Sequence, residues 1–117
     1  MRYLDILKNK VNLSEEDFES LKDDVKVVFE RLEEKNVKFG DENFEISFYN
    51  HIASLTKRIK AKELVDPLPE EFMGETTDEA KELSAYLVGH IFDKYGMDRD
   101  ITEIFLVSTH IQLTLGQ

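Results

Sequence analysis

A chain of 117 residues with a formal charge of −10 and no cysteine has room for one domain of ordinary size and can use neither disulfides nor thiol chemistry. Its 25 acidic residues outnumber 15 basic ones and are spread along the chain, which disfavours binding to a phosphate backbone and so argues against nucleic acid as a partner. No run approaches the roughly 20 apolar residues that a membrane helix needs, and MRYLDILKNK is too short and too charged for a signal peptide, so a soluble, cytoplasmic protein is expected.

In chain order, a short helix is expected at residues 2 to 8. The first long one starts at Ser14, a capping hydroxyl followed by Glu15, Glu16 and Asp17, and Phe18, Leu21, Val25, Val28 and Leu32 then recur every three or four residues to about Asn36. After a turn through Gly40 and Asp41, Phe44, Phe48, Ile52, Leu55 and Ile59 mark a second helix that also carries His51 and Arg58. Lys57, Arg58, Lys60 and Lys62 form the one basic cluster, which reads as a solvated face and a favourably charged helix C-terminus.

Residues 61 to 76 contain both prolines and Gly74, so the helical pattern is interrupted by a long surface connection, expected to be the most mobile segment. A third helix opens where Thr76 and Glu79 have capping-box spacing and runs through Ala80, Leu83, Leu87 and Ile91 to a cap at Gly96. The fourth follows at once, with Asp100 and Glu103 at cap spacing and Ile101, Ile104, Val107, Ile111 and Leu115 as its stripe.

Amphipathic helices of this kind cannot hide their stripes singly. The sequence therefore predicts an all-α fold over 1–117: a compact four- to five-helix bundle of antiparallel helix pairs, with a core domain at about 15–115. Phe48, Ile52, Leu83, Leu87, Ile104 and Ile111 are expected inside. Phe29, Tyr49, Phe92 and Phe105 flank the main stripes, and that additional apolar surface predicts a homodimer.

A neutral imidazole can serve as nucleophile, base or metal ligand near neutral pH. The chain has three. His90, next to Asp93 and Lys94, reads as a helix-surface histidine. His51 and Arg58 are separated by seven residues, as are Glu103 and His110, so each couple shares one helix face about 10 Å apart along the axis. Such groups can meet only across a helix interface, arginine of one element toward histidine of another. Metal binding is poorly supported, because carboxylate-bridged bundles place Glu three residues before His, whereas Phe48, Leu87 and Val107 hold those positions. Neither a Gly-rich phosphate loop nor a catalytic triad spacing is present, so neither an enzyme nor a cofactor is expected.

The stretch His51-Ile52-Ala53-Ser54-Leu55-Thr56-Lys57-Arg58 resembles the first histidine motif of the phosphotransferase-system regulation domain (PRD), and Glu103-Ile104-Phe105-Leu106-Val107-Ser108-Thr109-His110-Ile111 resembles the second. The resemblance covers about residues 15 to 115. It departs from the pattern at Leu106, where an aromatic residue would stand, and in the connection before the third helix, where Phe72 stands in for a proline-aromatic segment. It implies a helical, dimeric regulatory module. Regulators of the family usually carry a nucleic-acid-binding domain ahead of paired regulation domains, whereas about a dozen residues precede Ser14 here, so a stand-alone single module is expected. His51 and His110 would accept a phosphoryl group reversibly from a phosphocarrier protein or from sugar-transporter components. Arg58 and Glu103 match the family's charged partners, and Arg58 would balance the incoming phosphate. The competing expectations are a non-catalytic helical adaptor that makes no use of its histidines and, more remotely, a metal-binding bundle.

Overall fold

The computed structural model describes residues 2–11 and 13–115, which hold no β-strand. Helix α1 (Arg2–Asp5) runs into a π-helical turn at Ile6–Lys10, and four long helices follow: α2 (Glu15–Glu34), α3 (Glu42–Ala61), α4 (Asp78–Lys94) and α5 (Ile101–Leu115), with a 3₁₀ turn at Glu70–Glu75 in the connection before α4. The fold is all-α. No helix among the described residues is long and apolar enough to cross a membrane.

The helix ends are set by local chemistry. Ser14 Oγ accepts from the Asp17 amide at 3.1 Å, the Asp41 carboxylate from the Asn43 amide at 2.7 Å, and Asp100 from the Glu103 amide at 2.9 Å. The cap of α4 is Thr77, which accepts from the Ala80 amide, and not Thr76 as its spacing from Glu79 predicts. Thr76 is buried instead, its hydroxyl 2.9 Å from that of Ser108 on α5. At the other ends, α2, α3 and α4 each close with an amide reaching back five residues, Val37 to Leu32, Glu63 to Arg58 and Met97 to Phe92. The reversal needs a left-handed residue, here Asn36, Lys62 and Gly96. Lys62, with φ of 58°, is the one of the three with a full side chain and no local polar compensation.

Helices α2 and α3 form one antiparallel hairpin, with Lys57 near the end of α3 paired to Asp17 near the start of α2. The other is α4 with α5, where Thr77 at the start of α4 bonds Gln112 near the end of α5. Between the hairpins, α2 packs on α4 and α3 on α5. Phe48, Tyr49, Ile52, Leu55, Leu87, Ile91, Phe92, Val107 and Ile111 share one core. Of the six residues predicted inside, Leu83 and Ile104 are only partly buried. For Ile104 the reason is a rotation of α5 about its axis: Glu103 and Thr102 face inward, while Ile101, assigned to the stripe, is 69% exposed. Leu115 of the same stripe has a side chain outside those described.

The aromatic residues that suggested a spare apolar surface are mostly internal, since Tyr49, Phe92 and Phe105 are buried and Phe29 is partly so. Their area is consumed within the chain. The 61–76 connection is also tied down, because the Val65 and Leu68 amides donate to Glu103 and to Thr102 Oγ1, both at 3.3 Å.

One buried carboxylate joins the hairpins on the side away from α5. Asp24 of α2, 2% exposed, accepts from Lys94 Nζ and from the Tyr95 hydroxyl, each at 2.7 Å. Replacing Asp24 by alanine removes an anchor that accepts hydrogen bonds from both Lys94 and Tyr95. A loss of about 2 to 3 kcal/mol is expected, read as a lower urea midpoint at unchanged slope.

Candidate functional site

The two motifs meet along the seam between α3 and α5. Because those helices run antiparallel, His51 falls opposite His110 and Arg58 opposite Glu103, so the equal seven-residue spacings become two rungs. In the first, His51 Nδ1 lies 3.0 Å from His110 Nε2, with ring centroids 4.9 Å apart and planes at 87°. The edge of Phe48 packs against the His110 ring. In the second, Arg58 donates from Nε to one oxygen of Glu103 at 2.9 Å and from Nη2 to the other at 2.8 Å. The expectation that arginine of one helix would meet histidine of another is therefore corrected: like faces like at one rung, and opposite charges pair at the other.

Why the charges sit there follows from burial. Glu103 is 0% exposed, and a carboxylate removed from water must have its oxygens occupied. The bidentate guanidinium does this, and the Val65 amide adds a third donor to Oε2. Arg58 thus directs its hydrogen bonds to Glu103 rather than to an imidazole.

An imidazole pair at 3.0 Å needs one ring to donate and the other to accept. Burial, then the neighbouring His110 and Arg58, push the His51 pKa down to about 4, and burial pushes His110 below its usual value. Both rings are therefore neutral at pH 7, and one carries a nucleophilic lone pair without prior deprotonation. Nε2 of His51, on the far side of its ring, is enclosed and has no partner.

The same burial predicts an acid-side loss of stability. A base whose pKa is depressed in the fold takes up fewer protons than in the unfolded chain, where it titrates near 6.5. Stability from His51 is full above pH 6.5 and declines as pH falls toward about 4, with His90 and His110, also lowered by burial, acting in the same direction. Thermal unfolding followed between pH 7 and pH 4 should show the decline, and His51→Gln should make it shallower.

His90 is not a surface residue. It is partly buried against α2, with Nε2 3.4 Å from the Asp24 carbonyl oxygen, and it belongs to the Asp24 anchor rather than to the α3–α5 seam. No group of three or more metal-ligating side chains occurs among the described residues. Sequence reasoning missed the Arg58 pairing with Glu103. The signal was present in the order of the motifs, His then Arg on α3 and Glu then His on α5, which is complementary only when the helices are antiparallel.

Comparison with protein-family models, curated proteins and solved structures gave no match.

Proposed function

We propose that the chain is a regulatory module whose seam histidines accept a phosphoryl group reversibly from components of the sugar phosphotransferase system. The observation that carries this reading is the rung between His51 and His110, two neutral imidazoles hydrogen-bonded to each other across helices that have few other polar contacts. A histidine acceptor needs a neutral ring nitrogen, placement in line with the donor and an answer to the charge that arrives. The resemblance of both motifs to the PRD supports the same chemistry and names the donor class, a phosphocarrier protein or a sugar-transporter component.

The enclosure of His51 Nε2 makes the reaction conditional. A donor reaches that nitrogen only when α3 and α5 part, so modification is coupled to the seam. Close to two negative charges then arrive in a chain already at −10. Arg58 is the cation that His51 senses, and releasing it from Glu103 answers the phosphate while weakening the second rung. Phosphorylation would thereby control carbohydrate-related regulation through the packing of α3 on α5 and through association with a second copy or a target protein. The homodimer rests on the resemblance, since Tyr49, Phe92 and Phe105 lie inside the protomer.

The test is incubation of the intact chain with a phosphocarrier protein charged from phosphoenolpyruvate, followed by mass spectrometry under alkaline conditions that preserve phosphohistidine. Incorporation at His51 or His110 is expected. Unmodified protein with every carrier and transporter component would leave a helical adaptor as the better reading, its histidines serving only to join α3 to α5.

A further inference from the structure

Helix α5 leaves part of its apolar surface uncovered. With Thr102 and Glu103 facing inward, Ile101 is 69% exposed, and Ile104, one turn on, is only partly buried. Together with Phe105 they make a short stripe at i, i+3 and i+4, and that stripe walls one side of a groove of about 280 Å³. Met73 of the 3₁₀ turn and Ala85 of α4 complete its apolar lining, the small Ala85 side chain leaving depth beside α5, and Lys81 and Glu82 supply its polar groups. Phe72, next in sequence to Met73, is 47% exposed. Single apolar side chains on a surface are ordinary, whereas a continuous recess lined by them is where a partner buries its own.

The elements around the groove carry charge of one sign. Glu70, Glu71, Glu75, Asp78, Glu79 and Glu82 stand against the single base Lys81 over residues 70 to 82, and all six acids are exposed. Asp78 lies one turn before Glu82 on α4, on the face that Glu82 brings to the groove. A second copy of the chain seated here would set two such acidic margins against each other, in a protein already at −10, and like charges facing across an interface oppose association. A small molecule is also a poor fit, because the recess falls below the roughly 300 to 1,000 Å³ of ligand cavities and lies open at Ile101. An apolar stripe between basic flanks matches both the lining and the charge.

We propose that the α4–α5 groove is the docking site for a basic amphipathic helix of a partner protein, whose apolar side chains at i, i+3 or i+4 and i+7 enter beside Ile101, Ile104 and Ala85 while its lysines and arginines face Glu82 and Asp78. The groove adjoins the histidine seam without belonging to it. The Val65 and Leu68 amides hold the connection that leads into the 3₁₀ turn to Glu103 and Thr102 of α5. Docking needs no phosphate on either histidine.

The experiment titrates the full-length, isotopically labelled chain with a synthetic helical peptide about five turns long, bearing leucines along one stripe and lysine and arginine on both flanks. Two further peptides serve as controls, one of the same composition with the stripe scrambled and one with the stripe kept between glutamate flanks. Saturable binding is expected, with amide shifts concentrated at Met73, Ala85 and residues 101–105, and each control should bind at least about tenfold more weakly, the scale of losing central apolar anchors or opposing the flanking charges. Ile101→Ser should lower the affinity about tenfold or more at an unchanged melting temperature, since the side chain is mostly in water. Leu113→Ser, at a 54% exposed apolar position of the same helix outside the groove, should stay within about twofold of the parent. Equal binding of the scrambled peptide would make the contact one of charge alone, shifts centred elsewhere would move the site, and dissociation of a homodimer by Ile101→Ser in sedimentation would make the occupant a second copy. Each of these overturns the proposal, as does an absence of binding.

Discussion

Arg58→Ala is expected to lower stability by about 3 to 5 kcal/mol, the loss seen when one partner of a buried ion pair is removed and the other is left without compensation. Glu103 is 0% exposed and takes two of its three hydrogen bonds from Arg58, so water cannot replace the guanidinium without opening the seam. In a domain of this length the loss corresponds to a fall in melting temperature of roughly 15 °C or more, readable by circular dichroism at the helical bands. Arg58→Lys should recover only part, because an ammonium cannot meet both carboxylate oxygens in one plane. Arg58→Met combined with Glu103→Leu should restore most of the stability, since an apolar pair of similar volume avoids desolvation altogether. A single variant that melts like the parent would mean that the Arg58 pairing with Glu103 has little weight in the fold.

Substitution at the first rung should affect chemistry more than folding. In His51→Ala, His110 keeps an acceptor nitrogen but loses the imidazole that faces it at 3.0 Å, and the converse holds in His110→Ala. Phosphoryl incorporation at the surviving histidine is expected to slow by about a hundredfold, the low end of what a positioned proton acceptor contributes, and the double variant should carry no phosphate on these helices. Stability should fall by only about 1 to 2 kcal/mol for each single change, the worth of one hydrogen bond and its packing. Free imidazole added to His51→Ala should restore part of the rate by occupying the vacated space. A role in packing alone predicts the reverse, with incorporation unchanged and melting strongly reduced.

The helices were legible because their signals are local. Ser14, Asp41 and Asp100 each cap the helix that follows, and Phe48, Ile52, Leu87 and Ile111 are inside as a period near 3.6 requires. The rotation of α5 was not legible. Ile101 is as apolar as Val107 and Ile111, and its exposure goes with the inward turn of Glu103 toward Arg58, 45 residues away in sequence. Thr76 and Thr77 are equally good caps by composition. The choice falls to Thr77 because Ser108 on α5 engages the hydroxyl of Thr76. The structure brings His51, His110, Arg58 and Glu103 together along one seam, but spacing along a helix gives only the face, and the pairing across the seam depends on helix direction.

The two rungs join residues 59 and 45 positions apart, whereas each hairpin is closed by a short turn. Contacts within α2–α3 and within α4–α5 can form early, while the rungs must await closure of a long loop and its entropy. An opening of the α3–α5 boundary would break both rungs and part the two imidazoles. Amide hydrogen exchange at the start of α5 and at Val65, whose amide is held by Glu103, would report that opening directly, at a rate separate from the unfolding rate of the whole molecule.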